Sequence, residues 1–431
     1  MGVGKPPATF DRQIGISRVH GLFPTPKRLR FPASLKFPRE ILIVIKTAVV
    51  LIATLVSGAG LAQTAIAQTA SSAATAAGPV AYVYVTRPTH LDAFAVSSSG
   101  KLTPVPGSPF SGIALYHLSV TKKFLFGGSD DHIHINSYSI ASNGAVKKVS
   151  SVNALNYVPT GCCRLPQRLD ASGTTLYNLT DDGGDQAIEN FHIASDGHLQ
   201  FIGNESSNGG GTNYEPGMIS ILGNNKFAYS TGCDEDVTTE QLTRGFRRES
   251  SGLLQRFPPT IDLPTAKAGD IYCPYALASD PSNHLAFVLR QLHLDVDEGE
   301  PDGSFVLASY TSDSNGNLTT QSTKASMPVL ASDFLNLSIS PSAKLVAAGG
   351  DGGFQVFHFN GSAPITKYTG VFHSSENFLE FGWDKSNHLF ALSQNALHVY
   401  SATSTSVKEL PVSPYSIPQA SSVIVLSLQQ P

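Results

Sequence analysis

The chain has 431 residues, with 29 Lys and Arg against 33 Asp and Glu and 41% hydrophobic side chains, a composition that suits a large folded core and argues against disorder. Residues 1–46 hold nine basic and two acidic side chains, which leaves 20 basic and 31 acidic ones beyond them, a net charge near −11. Nucleic-acid binding depends on Lys and Arg neutralising phosphates, so that acidic body excludes it.

Along the chain, the basic stretch leads into an apolar run from Thr47 to Val56 and then into small residues. Ala65-Ile66-Ala67 fits an A-x-A processing site, with Gly60-Leu61-Ala62 as a second. Residues 1–67 therefore read as an export signal or, if uncut, an N-terminal membrane anchor, because Ile41 to Ala62 carries only Lys46 as a charge. The expected location is periplasmic or extracellular, with membrane contact only through that segment. Residues 68–79 are a small-residue linker, and residues 80–431 form the folded part.

That part is repetitive. Glycines at 100, 144, 197, 252, 316 and 361 follow one another at spacings of 44, 53, 55, 64 and 45 residues. Six positions before the first five stand Phe94, Tyr138, Phe191, Phe246 and Tyr310. Two positions after them stand Leu102, Val146, Leu199, Leu254 and Leu318. Short alternating runs between tight Ser-Gly, Asn-Gly and Asp-Gly turns predict β-hairpins, and a period of this length predicts a β-propeller. Four-stranded blades are expected near 114–150, 165–205, 217–262, 275–325, 335–370 and 377–412. The first blade is split. Ala81-Tyr-Val-Tyr-Val85 has no inner strand before it, whereas Ser422-Val-Ile-Val-Leu-Ser-Leu428 has no blade of its own. The C-terminal strand is expected to complete the first blade, giving an all-β, seven-bladed, monomeric ring without an open edge. An immunoglobulin-like array fits less well, because the period is too short and Trp383 is the only tryptophan.

The segments Ala81-Tyr-Val-Tyr-Val-Thr86, Ser98-Ser-Gly100-Lys-Leu-Thr-Pro-Val-Pro-Gly107-Ser-Pro-Phe110, Leu337-Ser-Ile-Ser-Pro341 and Leu410-Pro-Val-Ser-Pro414 resemble the seven-bladed lactonase family, which includes 6-phosphogluconolactonase-like and YVTN-repeat propellers. The resemblance spans residues 80–428 and implies the propeller fold. For activity it implies hydrolysis of a sugar lactone or related ester. The alternative is a non-enzymatic exported propeller that binds a protein, glycan or cation through its loop face. No compact catalytic motif of that family transfers residue by residue.

Loops between second and third strands, and connections between blades, should share one face. Many are acidic, including Asp130-Asp131, Asp181-Asp182, Asp234-Glu235-Asp236 and Asp351. Asp is also a good turn former, which explains most of them. The loop with Asp295, Asp297, Glu298, Glu300 and Asp302 exceeds what a turn needs and makes Ca²⁺ the one cofactor suggested. His373 and Glu376 in Phe372-His-Ser-Ser-Glu-Asn-Phe378, with Arg290, are the candidate catalytic residues: a base to activate water and a cation for the developing oxyanion. Cys162, Cys163, Cys233 and Cys273 fall on the same face of consecutive blades. A Cys233–Cys273 disulfide is expected, with Cys162 or Cys163 as competing partner.

Overall fold

The computed structural model describes residues 78–131, 133–154, 167–181, 186–206, 219–231, 243–266, 270–293, 303–334 and 336–428. The leader (1–67), most of the linker, Cys162, Cys163, Cys233 and the acidic loop 295–302 lie outside them. The described residues form seven antiparallel sheets, each a blade of four strands in simple up-and-down order. The innermost strands are Leu115–Val120, Gln167–Leu169, Ile219–Ile221, Asp270–Ser279, Asn336–Ile339, Phe378–Trp383 and the C-terminal Ser422–Ser427.

Closure is as expected. Strand Ala81–Arg87 pairs on one side with His90–Val96 and on the other with Ser422–Ser427, in register from Ala81 opposite Ser427 to Thr86 opposite Ser422. Two features depart from the expected boundaries. The fifth blade starts at Asp270 instead of 275, and its first strand bulges between Pro274 and Ala276, where proline supplies no N–H to the ladder. The first and seventh blades each gain a two-residue strand, Phe110–Ser111 and Tyr415–Ser416, which pairs with the third strand of its blade. Two residues carry no periodicity that a sequence could reveal.

The core lies in the seams between blades. Leu345, Phe354 and Val356 of blade 6 pack with Phe378, Trp383 and Tyr400 of blade 7, and Phe390 and Val399 of blade 7 pack with Val83 and Val85 of blade 1. The repeated glycines belong to these seams. Gly144 has φ of 84°, and a Cβ there would come within 2.5 Å of the Tyr82 ring from the preceding blade. Next to it the buried Tyr84 hydroxyl donates to the Gly144 carbonyl at 3.0 Å. Tyr177 repeats this on Gly252 at 2.8 Å and Tyr229 on Gly316 at 2.8 Å. The turn glycine is thus required twice over: for left-handed backbone and to let the preceding blade close on it.

Turns between first and second strands are organised by aspartates. Asp280 accepts the amides of Ser282 (2.8 Å) and His284 (3.1 Å), and Asp384 accepts those of Ser386 (2.9 Å) and His388 (2.8 Å). In blade 3 the buried Asp170 accepts the amides of Thr174 and Thr175 and also the Arg248 guanidinium, which belongs to blade 4. One side chain therefore closes a turn and ties two blades.

Candidate functional site

Innermost strands from all seven blades converge on the ring axis and line a cavity of about 340 Å³. That volume falls at the small end of the range for ligand pockets, about 300–1,000 Å³. Much of the lining is aliphatic or hydroxylic, including Leu118, Ser119, Ser220 and Ile339. Two charged side chains interrupt it: Arg168 from blade 3 and Glu380 from blade 7, on opposite sides of the ring. His117 also lines the cavity, with a left-handed backbone at φ 49°.

Glu380 is held by the strand that closes the ring. Its Oε2 accepts the Ser422 hydroxyl at 2.8 Å and the Val423 amide at 2.7 Å. Both donors go to the same oxygen. Burial pushes the Glu380 carboxyl above the ordinary range, and the two hydrogen bonds and the Arg168 charge oppose that rise only in part. Burial likewise lowers the Arg168 value, against the pull of Glu380. The Arg168 guanidinium donates to the Gln167 carbonyl at 2.9 Å. A carboxyl that titrates high and a guanidinium across a small cavity can activate water and stabilise an oxyanion.

A second constellation lies in the seam between blades 6 and 7. His373 and Glu376 sit in the connection between those blades, His398 on the third strand of blade 7 (Ala396–Ala402) and Glu409 on its outermost strand (Val407–Glu409). His373 Nδ1 lies 3.0 Å from Glu376 Oε1 and its Nε2 3.0 Å from Glu409 Oε2. His398 Nε2 lies 3.1 Å from Glu376 Oε2 and its Nδ1 2.9 Å from Glu409 Oε1. The imidazole rings are 4.3 Å apart.

Of the residues the sequence suggested, the structure brings His373 and Glu376 into direct contact, on the outer part of a seam and not on the ring axis. Arg290 lies in blade 5 with its guanidinium 5.4 Å from the centre of the Phe305 ring, and among the described residues it shares no ion pair with either. Cys273 is buried and disulfide-bonded, and its partner cysteine lies outside the described residues. In the described part of the acidic loops, Asp131 accepts the Ile133 and His134 amides at 2.9 and 3.1 Å, the work of a turn former. Arg168, Glu380, His398 and Glu409 were not singled out from sequence. For the first two a signal existed: each is the lone charge in a short inner strand, Gln167–Leu169 and the otherwise apolar Phe378–Trp383.

The chain is a seven-bladed β-propeller with a polar axial cavity. It is similar in fold to the periplasmic gluconolactonase PpgL of Pseudomonas aeruginosa (12% identity, TM-score 0.54, 81% of this chain and 99% of the other). It is also similar to a candidate 6-phosphogluconolactonase from Bacteroides uniformis (12% identity, TM-score 0.55, 80% and 99%). A protein from Lactobacillus plantarum matches at 15% identity and a TM-score of 0.58, over 81% and 99%. At such identities the likeness is one of fold. No protein-family model matches the chain, and no curated protein matches its sequence.

Proposed function

We propose that this propeller is a lactonase-type hydrolase that opens a neutral sugar lactone, or a related ester, in the axial cavity. The observation that carries this reading is that Glu380 and Arg168 are the two charged side chains lining a cavity of about 340 Å³, each within reach of the other's charge. Glu380, through the oxygen not engaged by Ser422 and Val423, takes a proton from water as that water adds to the lactone carbonyl. Arg168 stabilises the oxyanion. The ring C–O bond then breaks, and Glu380 returns that proton to the alkoxide leaving group, which regenerates its carboxylate. The acidic body of the chain disfavours phosphorylated lactones, and salt weakens that discrimination.

The test is proton release with a panel of neutral and phosphorylated sugar lactones, using wild type, Glu380→Gln and Arg168→Met. The expected loss in kcat is about 10²–10⁴-fold for Glu380→Gln and about 10²–10³-fold for Arg168→Met, each with a smaller change in KM. A base must be ionised, and this carboxyl titrates high, so wild-type activity should rise with pH above the ordinary glutamate value of about 4.3. Glu380→Gln should lose that rise. A wild type no faster than buffer, or variants as fast as wild type, refutes the reading in favour of a binding propeller.

A further inference from the structure

The seam between blades 6 and 7 holds two imidazoles and two carboxylates with no role in the axial chemistry. Their hydrogen-bond arithmetic is unusual. Each imidazole has a carboxylate oxygen opposite both of its nitrogens, at 2.9–3.1 Å. A neutral imidazole carries one N–H and one lone pair, so two of the four contacts set a nitrogen lone pair against a carboxylate unless a further positive charge lies between them.

The surroundings indicate which two. Glu409 is built to accept. Its Oε1 takes the Ser413 hydroxyl at 2.6 Å, and Ser413 is itself fixed by the Val399 amide at 2.9 Å. With Glu409 as the accepting partner, N–H comes from His373 Nε2 at 3.0 Å and from His398 Nδ1 at 2.9 Å. His373 Nδ1 and His398 Nε2 are then lone-pair donors, and both face the Glu376 carboxylate.

We propose that His373 Nδ1, His398 Nε2 and the Glu376 carboxylate bind one divalent transition-metal cation, with Zn²⁺ the best match, and that Glu409 is the outer carboxylate that orients both histidines. One donor atom from each of the three ligands lies within 4.8 Å of the other two. A formed tetrahedral site, with bonds of about 2.0–2.1 Å, has donors about 3.3 Å apart, so closure needs only small side-chain shifts. Two imidazoles and one carboxylate favour Zn²⁺ over Ca²⁺ or Mg²⁺, which prefer all-oxygen shells. A carboxylate on the far nitrogen of each ligating histidine is the usual outer-shell arrangement, here one group serving both.

The scaffold is asymmetric in a way that suits this. His398 is buried, with 2% of its side chain exposed, whereas Glu376 is 34% exposed, so the cation has a fixed inner ligand, an access route and an open coordination position. His373 adopts a left-handed backbone at φ 48°, costly for a non-glycine residue. The turn is held by the Glu376 amide on the His373 carbonyl at 2.9 Å and by the Gly353 amide of blade 6 on the Glu376 carbonyl at 2.9 Å. Phe378 closes the inner side, its ring 5.4 Å from that of His398.

The test uses the untagged full chain, stripped with a chelator and titrated with ZnCl₂ by calorimetry near pH 8, and with CoCl₂ by visible absorption. One Zn²⁺ per chain and the absorption of a low-coordinate cobalt site are expected. His373→Ala and Glu376→Gln, both in the partly exposed connection, should weaken Zn²⁺ binding more than about a hundredfold, beyond the roughly 10–100-fold expected for Glu409→Gln through the outer shell. His198→Ala, elsewhere on the surface, should change nothing. Circular dichroism confirms that each variant is folded, and if the buried His398→Ala does not fold, the two connection variants carry the result. A wild type that takes up no zinc, or folded connection variants that bind it as wild type does, overturns the proposal. The lactone assay is independent, since these residues lie off the ring axis.

Discussion

Replacing Asp170 by Asn should destabilise the propeller more than any other single-atom change in its turns. The two side chains have the same shape, so the effect is one of charge and donor–acceptor polarity. Oδ1 of Asp170 accepts the Thr174 amide at 2.7 Å and the Thr175 amide at 3.0 Å, which an Asn carbonyl can reproduce. Oδ2 accepts the Ser172 hydroxyl at 2.5 Å, the Thr174 hydroxyl at 3.1 Å, Asn225 Nδ2 at 3.2 Å and the Arg248 guanidinium at 2.8 Å. An Asn NH₂ at that place points two donors at four donors. It also leaves Arg248, only 12% exposed, without its counter-charge. Removing one partner of a buried ion pair costs about 3–5 kcal/mol. Unfolding entropy of about 2.1 cal/mol/K per residue over roughly 350 residues is about 0.7 kcal/mol/K, so Tm should fall by about 4–7 °C. The measurement is scanning calorimetry of both proteins at one scan rate, from pH 7 down to pH 3. Burial would raise the Asp170 carboxyl, yet its hydrogen bonds from Ser172, Thr175, Asn225 and Thr174 leave it below the ordinary value. Its contribution is therefore complete above the unfolded value of about 3.9 and fades as pH falls through the lower folded value. The gap between wild type and D170N should stay constant down to about pH 4 and narrow only below it. A D170N protein that melts within 1 °C of wild type at pH 7 would refute the reasoning.

Gly144→Ala should cost about 2–5 kcal/mol, from left-handed strain plus overpacking against Tyr82 and Val105. Gly112→Ala, at φ 76° with nothing within 4 Å of its Cβ, should show the strain alone, so equal melting shifts for the two would mean the seam contact is inert. Deleting residues 420–431 removes the strand paired with Ala81–Arg87 and exposes a flat edge, and the product should aggregate and lose heat resistance. A truncated chain that stays monomeric by light scattering and melts with wild type would count against strand exchange between the termini as the closure.

Much of the architecture was legible because the same local demand recurs. Gly100, Gly144, Gly197, Gly252, Gly316 and Gly361 all have positive φ, and a repeat of such positions survives in sequence whatever else drifts. The split blade was legible for a related reason: an unmatched strand at each end is a violation that only ring closure removes. What escaped notice was short or non-local. Phe110–Ser111 and Tyr415–Ser416 are two residues each, and the early start at Asp270 hides behind a proline-induced bulge.

The polar sites divide along the same line. His373 and Glu376 stand three apart in one connection, and proximity in sequence made them visible. His398 and Glu409 lie in strands whose alternation reads as ordinary sheet, so nothing local announces that they meet the same connection. Arg168 and Glu380 are hidden for another reason: acidic residues are dense in the loops, and a single charge in an inner strand does not stand out beside them. In a propeller the loops fan outward with the blades, and charges there are apart and solvated, as Asp131 is in its turn. The innermost strands do the opposite. They converge, so one charge on the inner strand of blade 3 and one on that of blade 7 line a single small cavity, although 212 positions (380 − 168) separate them in the chain. A charge there is desolvated by every blade at once, which is why Glu380 titrates high while exposed carboxylates of the turns do not.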